Sequence, residues 1–139
     1  MFQRILVPVD LSEKSMGAVD VAYDFAKRLG AEVILLHVIE TIEHVDFAEL
    51  KPFYERLEKS ARKGLQEFSE RFVSSKLKVD QALIYGHRTQ EIVDYAMGNR
   101  IDLVIMASHR INRERPGHDW SSISYAVAIA SPCPVLLVK

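Results

Sequence analysis

The segment Ile5-Leu6-Val7-Pro8-Val9-Asp10-Leu11-Ser12 contains a short continuous apolar run that ends at a carboxylate. Such a run is typical of a strand buried on both faces, so we expect it to lie centrally in a parallel sheet. Apolar residues then recur at helical spacing between residues 14 and 29. Ser12 is the predicted N-cap of this helix, and Gly30 is placed to end it. A strand that leads directly into a helix is the opening unit of an α/β fold.

Strands and helices alternate along the rest of the chain. Further strands are predicted over residues 32–38, 77–85, 102–107 and 135–138, and helical spacing covers residues 47–72, 89–98 and 123–130. Pro52 marks a predicted break near the start of the long second helix, and Ser121 or Ser122 is placed to cap the last one. The weaker apolar alternation over 77–85 suits a strand near an edge. The pattern predicts one doubly wound parallel sheet with helices on both faces.

The final strand, formed by Val135, Leu136, Leu137 and Val138, is apolar throughout and has no helix after it. We expect it to lie at the edge of the sheet, where an unpaired apolar strand favours aggregation unless something covers it. The sequence therefore predicts a homodimer that pairs through residues 135–138.

Composition limits the classes of protein that fit. The chain has 139 residues, of which 48% are hydrophobic, enough for one domain spanning residues 1–139. Its 18 Lys and Arg against 19 Asp and Glu leave a net charge of -1, so no overall field favours nucleic acid or an anionic membrane. The single cysteine, Cys133, cannot form an internal disulfide, and no apolar run approaches the about 20 residues of a membrane helix. We predict a cytoplasmic protein without nucleic-acid or membrane partners.

Ligands of open α/β sheets bind outside the carboxyl ends of the strands, where the strand order reverses. The segments that follow the predicted strands there are 10–12, 38–40, 86–88 and 107–122. Asp10 is an ionisable group at the end of a buried strand, and it fits either a turn carboxylate or a functional one. The loop from Ser108 to Trp120 has no periodicity and carries three arginines. It is equally compatible with a solvated loop and with a binding loop.

Other chemistry is disfavoured by the residues present. The glycine motifs of P-loop and dinucleotide-binding proteins are absent after the first strand. A response-regulator receiver needs a carboxylate at the end of the third strand, which here ends in Ile84-Tyr85-Gly86. His37 is more simply a satisfied core histidine than a ligand, and Cys133 has no base nearby in sequence. No catalytic residue is predicted.

Several segments together resemble one known family. They are residues 5–12, the strand over 33–38, Gly86 before the third helix, residues 102–109 and the ending over 132–138, in that order along the whole chain. They resemble the universal stress protein family. The resemblance implies an adenine nucleotide alpha hydrolase-like sheet of five parallel strands in the order 3-2-1-4-5. It also implies homodimers through the last strand, a role in the cytoplasmic stress response, and ATP binding in a subset of members.

The ATP-binding subset carries Gly-x2-Gly, nine further residues, then Gly-Ser or Gly-Thr. The glycines let backbone N–H groups close on phosphate oxygens. The corresponding positions here are Ala107, Arg110 and Trp120, so all three glycines are replaced. Arg110 can reach a phosphate in this arrangement or fill the cradle with its own side chain. Ser121 and Ser122 still offer two hydroxyls at a helix start.

The resemblance implies a nucleotide site at matching positions of this sequence. Pro8, Val9 and Asp10 would line the sugar, while Val38 and Met106 would meet the adenine. The phosphate side would comprise Ser108, His109, Arg110, Ser121 and Ser122. Asp10 would hold Mg²⁺ through the bound nucleotide, and hydrolysis would be slow at most. The alternative is a non-nucleotide interaction protein that acts through its dimer surface and the arginine-bearing loop 108–120.

Overall fold

A computed structural model describes residues 1–109 and 122–139. The described residues form five strands: β1 (Arg4–Pro8), β2 (Glu32–Glu40), β3 (Val79–Gly86), β4 (Leu103–Ala107) and β5 (Val135–Val138). They also form four α-helices: α1 (Lys14–Leu29), α2 (Lys51–Ser69), α3 (Arg88–Gly98) and α4 (Ile123–Ala130). Short 3₁₀ turns, Phe47–Leu50 and Glu70–Phe72, flank α2. No helix in these two ranges is long and apolar enough to cross a membrane.

The five strands form one parallel sheet in the order β3-β2-β1-β4-β5. The predicted fold class and strand order are therefore confirmed. β1 is central, with Ile5 opposite Val33 on one side and Leu103 on the other. The two edges are β3 and β5, which are the two strands expected there. The reversal of strand order lies between β1 and β4.

Each central strand supplies side chains to both faces of the sheet. Ile5 and Val7 are fully buried with the apolar faces of α1 and α2. Leu6, between them, is fully buried on the opposite face with residues of α3 and α4. Because successive side chains alternate across a strand, a strand covered on both faces has no polar position. This explains why the first strand is a continuous apolar run.

The helix ends agree only partly with the sequence-based expectations. The predicted N-cap Ser12 is wrong: α1 begins at Lys14, its flanking residue Glu13 makes no side-chain cap, and the Ser12 hydroxyl donates to Asp10 instead. Gly30 does end α1, in a left-handed conformation with φ 66°. The predicted cap of the last helix is found at Ser122, whose Oγ accepts from the Tyr125 amide.

The predicted break near Pro52 is found. The helical spacing over 47–72 divides into the 3₁₀ turn Phe47–Leu50 and α2, which begins at Lys51 and has Pro52 in its first turn, where the missing N–H costs nothing. The third strand begins at Val79, two residues later than expected. The residues before it form a turn instead, in which the Ser75 hydroxyl donates to the Phe72 carbonyl and accepts from the Leu77 amide.

Candidate functional site

The carboxyl ends of β1, β2 and β4 border a cavity of about 220 Å³. This is the position expected for a ligand, beside the point where the strand order reverses. The structure brings together in its wall the predicted site residues Pro8, Val9, Asp10, Val38, Met106, Ser108, His109 and Ser122. The other two, Arg110 and Ser121, lie outside the described residues, as does most of the loop 108–120.

Asp10 organises the connection between β1 and α1. Its Oδ1 accepts hydrogen bonds from the Ser12 amide (2.9 Å), the Ser12 hydroxyl (2.6 Å) and the Ser15 hydroxyl (2.9 Å). Partial burial raises the pKa of Asp10, but these hydrogen bonds and the nearby positive charge of Arg88 together hold it below its usual value. The carboxylate is therefore ionised at neutral pH, and the turn interpretation of Asp10 is correct for Oδ1.

Leu11, the next residue, adopts the left-handed conformation with φ 71°. A leucine is rarely found there, and such strain is common beside binding sites. Its side chain reaches α2, where a Cβ added to Gly64 would lie 2.5 Å from Leu11 Cδ2. The absence of a side chain at Gly64 thus makes room for Leu11 and fixes the loop that carries Asp10.

The floor of the cavity is apolar. Leu36, Val38, Ile92 and Met106 line it, and each is at least 95% buried. His37 lies between Leu36 and Val38 in β2, with Nδ1 2.7 Å from the Val9 carbonyl oxygen, which agrees with the prediction of a satisfied histidine. The floor provides a surface suited to a flat apolar group such as a nucleobase.

Serine hydroxyls form the wall next to α4. The Oγ of Ser124 lies 3.0 Å from Ser108 Oγ and 3.1 Å from Ser122 Oγ. Ser122 and Ile123 mark the start of α4, where the backbone N–H groups of the first turn point outward. Hydroxyls beside a helix start can donate to an anionic or hydroxylated ligand.

Sequence reasoning missed several residues that line the cavity, above all Lys14, Ser15, Arg88, Ile92 and Ser124. Ser15 and Ser124 are almost fully buried, and a small polar residue at a buried position of a helix was the available signal. Arg88 follows the end of β3, a segment that topology had marked, but no spacing distinguished it.

Arg88 lines this cavity in an unusual environment. Its side chain is 39% exposed, yet its Nε is buried and has no hydrogen-bond partner among residues 1–109 and 122–139. Its Nη2 lies 3.9 Å from Glu40 Oε2, beyond hydrogen-bond distance. Beside it, His87 Nε2 lies 2.8 Å from Glu43 Oε1, and this hydrogen bond raises the pKa of His87.

The described residues contain no group of three or more His, Cys, Asp or Glu side chains that could hold a metal ion. Asp10 alone supplies one carboxylate, and its Oδ1 is already bound by serines. Mg²⁺ takes most of its ligands from water and phosphate oxygens. The residues around the cavity would therefore suit a Mg²⁺ ion that enters bound to a nucleotide better than a Mg²⁺ ion held by protein ligands alone.

The parallel order 3-2-1-4-5 and the cavity at its switch point define a doubly wound α/β protein whose cavity lies where open α/β sheets bind ligands, at the carboxyl ends of the strands. The sequence model of the universal stress protein family matches residues 1–139. The chain belongs to the universal stress protein family. It is 26% identical to the universal stress protein YxiE of Bacillus subtilis and 28% identical to one of Thermus aquaticus, each over the full length of both chains.

Solved structures agree with this assignment. Protein MJ0577 of Methanocaldococcus jannaschii superposes with a TM-score of 0.82 at 29% identity, covering 100% of this chain and 96% of that one. A universal stress protein solved in complex with cAMP has a TM-score of 0.80 at 21% identity, covering 99% and 97%. One from Archaeoglobus fulgidus in complex with dAMP has 0.69 at 14%, covering 99% and 98%. The last two likenesses show the fold alone.

Proposed function

We propose that this chain is a stress-response protein that binds an adenine nucleotide in the cavity at the carboxyl ends of β1, β2 and β4. The observation that carries the proposal is the cavity itself, which combines an apolar floor with an ionised carboxylate, two cations and four serines. The complexes of two fold relatives with cAMP and dAMP support the same ligand class.

Each wall would contact one part of the nucleotide. The base would lie on the apolar floor near Val38 and Met106, where burial of its faces is favourable. Asp10 would accept hydrogen bonds from the sugar hydroxyls, because its charged oxygen is a strong acceptor. The phosphate would meet the polar rim, to which Lys14, Arg88 and Ser122 contribute.

The proposed role is binding rather than turnover. Fast phosphoryl transfer requires a positioned base and bound metal ions, whereas Asp10 is occupied by serine hydrogen bonds. Mg²⁺ would enter only with a nucleotide that carries it, and any ATPase activity would be slow.

Isothermal titration calorimetry with ATP, AMP and cAMP, each with and without Mg²⁺, tests the proposal. We expect binding heat for at least one of them, and at least about tenfold weaker binding in Asp10→Asn, which replaces an acceptor oxygen by an amide donor. Asp20→Asn is the matched control, because Asp20 lies on α1, pairs with Arg71 and does not line the cavity. No heat at millimolar nucleotide would contradict nucleotide binding, and unchanged affinity in Asp10→Asn would place the site elsewhere.

The alternative function, an interaction protein that binds no nucleotide, relies on the loop 108–120 and the dimer surface. Most of that loop lies outside the described residues. A folded protein that gives no heat with any adenine nucleotide would favour this alternative.

The proposal includes a homodimer formed through β5. One edge of β5 pairs with β4 and its other edge has no strand beside it in the described chain. Its side chains are all half-buried: Leu136 and Val138 pack towards α1, while Val135 and Leu137 pack towards α4. A second copy of β5 would pair the free backbone groups and cover these side chains. A cytoplasmic location stays a prediction.

A further inference from the structure

We propose that Arg88 recognises a phosphate group, so that the cavity selects a nucleoside monophosphate over the uncharged nucleoside. The inference rests on the proposed function and adds to it the residue that sets the ligand class. Arg88 is the first residue of α3 and lines the same cavity as Asp10 and Met106.

The first support is the unpaired donor on Arg88. Its Nε–H is buried, and none of the described residues accepts from it. A buried N–H without a partner is unfavourable, and a charged one more so. A ligand oxygen beside Nε would remove that cost, and a phosphate presents two oxygens that match the planar fork of a guanidinium.

The second support is the balance of charge around the guanidinium. Asp10 interacts with Arg88 through its charge, without a hydrogen bond between the two, because the bonds to its Oδ1 come from Ser12 and Ser15. Glu40 lies 3.9 Å from Nη2 at the outer end of the side chain. Lys14 adds a second cation to the cavity wall. The two cations against one lining carboxylate favour an anionic ligand.

The third support is size. The cavity measures about 220 Å³, whereas pockets for drug-sized ligands usually hold about 300 to 1,000 Å³. A nucleoside with a single phosphate close to its sugar suits this space better than one with an extended triphosphate.

The test compares the affinities of AMP, adenosine and ATP by isothermal titration calorimetry without Mg²⁺. Wild-type protein should bind AMP at least about tenfold more tightly than adenosine, as expected for charge-assisted hydrogen bonds, and no less tightly than ATP. In Arg88→Gln the preference for AMP over adenosine should be largely lost, because only Lys14 and Ser122 of the polar rim remain, while the adenosine affinity changes less than about twofold. Arg88→Lys, which keeps the charge but loses Nε–H and the fork, should retain only part of the preference.

Arg62→Gln is the matched control, because it removes an exposed guanidinium from α2 with the same change of net charge. It should behave as wild type. An undiminished preference for AMP in Arg88→Gln would overturn the inference. An equal loss of affinity for AMP and for adenosine would also overturn it, because it would place Arg88 on the nucleoside. Equal wild-type affinity for AMP and adenosine would refute the inference and leave the proposed function standing. No binding of AMP, adenosine or ATP in this test, together with no binding of cAMP or of any of the nucleotides with Mg²⁺, would refute both.

Discussion

At the scale of single residues, the two carboxylate oxygens of Asp10 differ in their surroundings. Oδ1 is used by Ser12 and Ser15 to shape the turn after β1. None of the described residues donates a hydrogen bond to Oδ2 of Asp10, a residue that lines the cavity. The structural role of Asp10 is therefore observed, and its binding role stays a prediction that the free Oδ2 leaves open.

The lowered pKa of Asp10 gives a pH dependence that can be measured. Because the folded-state pKa lies below the unfolded value of about 3.9, ionised Asp10 stabilises the fold above that pH, and the contribution is lost as the pH falls through the folded-state pKa. Asp10→Asn should be less stable than wild type at pH 7, and the difference should shrink below about pH 4. Urea unfolding between pH 7 and pH 3 measures this. A difference that stays constant over the whole range would show that the charge of Asp10 is not involved.

Gly86, at the end of β3, is predicted to resist substitution. Its φ of 152° is unfavourable for other residues, and an added Cβ would lie 2.6 Å from Glu91 Oε1. Gly86→Ala should lower the free energy of unfolding by about 1 to 3 kcal/mol. Gly98→Ala, in open space at the end of α3, is the control and should be neutral or stabilising by up to about 1 kcal/mol. Equal effects in chemical denaturation would contradict this account.

At the scale of the elements, an ionic contact ties the segment after β2 to the start of α3. His87 precedes α3, and its Nε2 lies 2.8 Å from Glu43 Oε1 and its Nδ1 3.9 Å from Glu40 Oε1. The hydrogen bond with Glu43 raises the pKa of His87. This contact therefore stabilises the fold fully below the unfolded pKa of about 6.5, and the contribution is lost as the pH rises through the higher folded-state pKa.

Substitution of Glu43 should reverse that shift. In Glu43→Gln we expect the NMR titration of the His87 ring to move to lower pH, because the charged hydrogen-bond partner that contributes most to the raised pKa is removed. An unchanged His87 titration in Glu43→Gln would mean that the contact does not persist in solution.

The sequence predicted the strands better than the helix starts. β1, β2 and β4 are buried on both faces, so their patterns depend only on apolar content. The start of α1 was misplaced because Ser12 has a competing partner in Asp10, which lies outside the helix. Lys14 and Arg88 were missed because they are polar residues at helix starts, where a solvent-facing side chain and a cavity-facing one give the same pattern. Only the arrangement of three strand ends around one space distinguishes the two.

At the scale of the whole molecule, the two free edges of the sheet allow a matched test of the dimer. Pro134 O accepts from Val104 N and Val138 O accepts from Ser108 N, so by alternation Leu137 N–H faces the free edge. At the other edge, Lys78 O accepts from Val33 N of β2, and Gly86 O accepts from the amide of Thr41, the residue that follows β2. By the same alternation, Gln81 N–H faces the free edge of β3.

Leu137→Pro should convert a homodimer to a monomer, because it removes a donor from the proposed interface while the ladder to β4 remains. Gln81→Pro makes the same change at the other edge and should leave the dimer intact. Sedimentation velocity at micromolar concentration distinguishes these outcomes once circular dichroism shows both variants folded. A wild-type monomer, or dissociation by Gln81→Pro alone, would exclude pairing through β5.

The central position of β1 also bears on the order in which the chain can fold. Arg4 pairs with Glu32 on one side, but on the other side its amide donates to the Asp102 carboxylate and Ile5 lies opposite Leu103. During translation the first partner emerges early, and the second only after nearly a hundred residues. The nascent chain therefore has an apolar strand with one open edge during most of its synthesis. A chaperone can recognise such an exposed strand. The late arrival of the second partner also favours late, cooperative completion of the sheet.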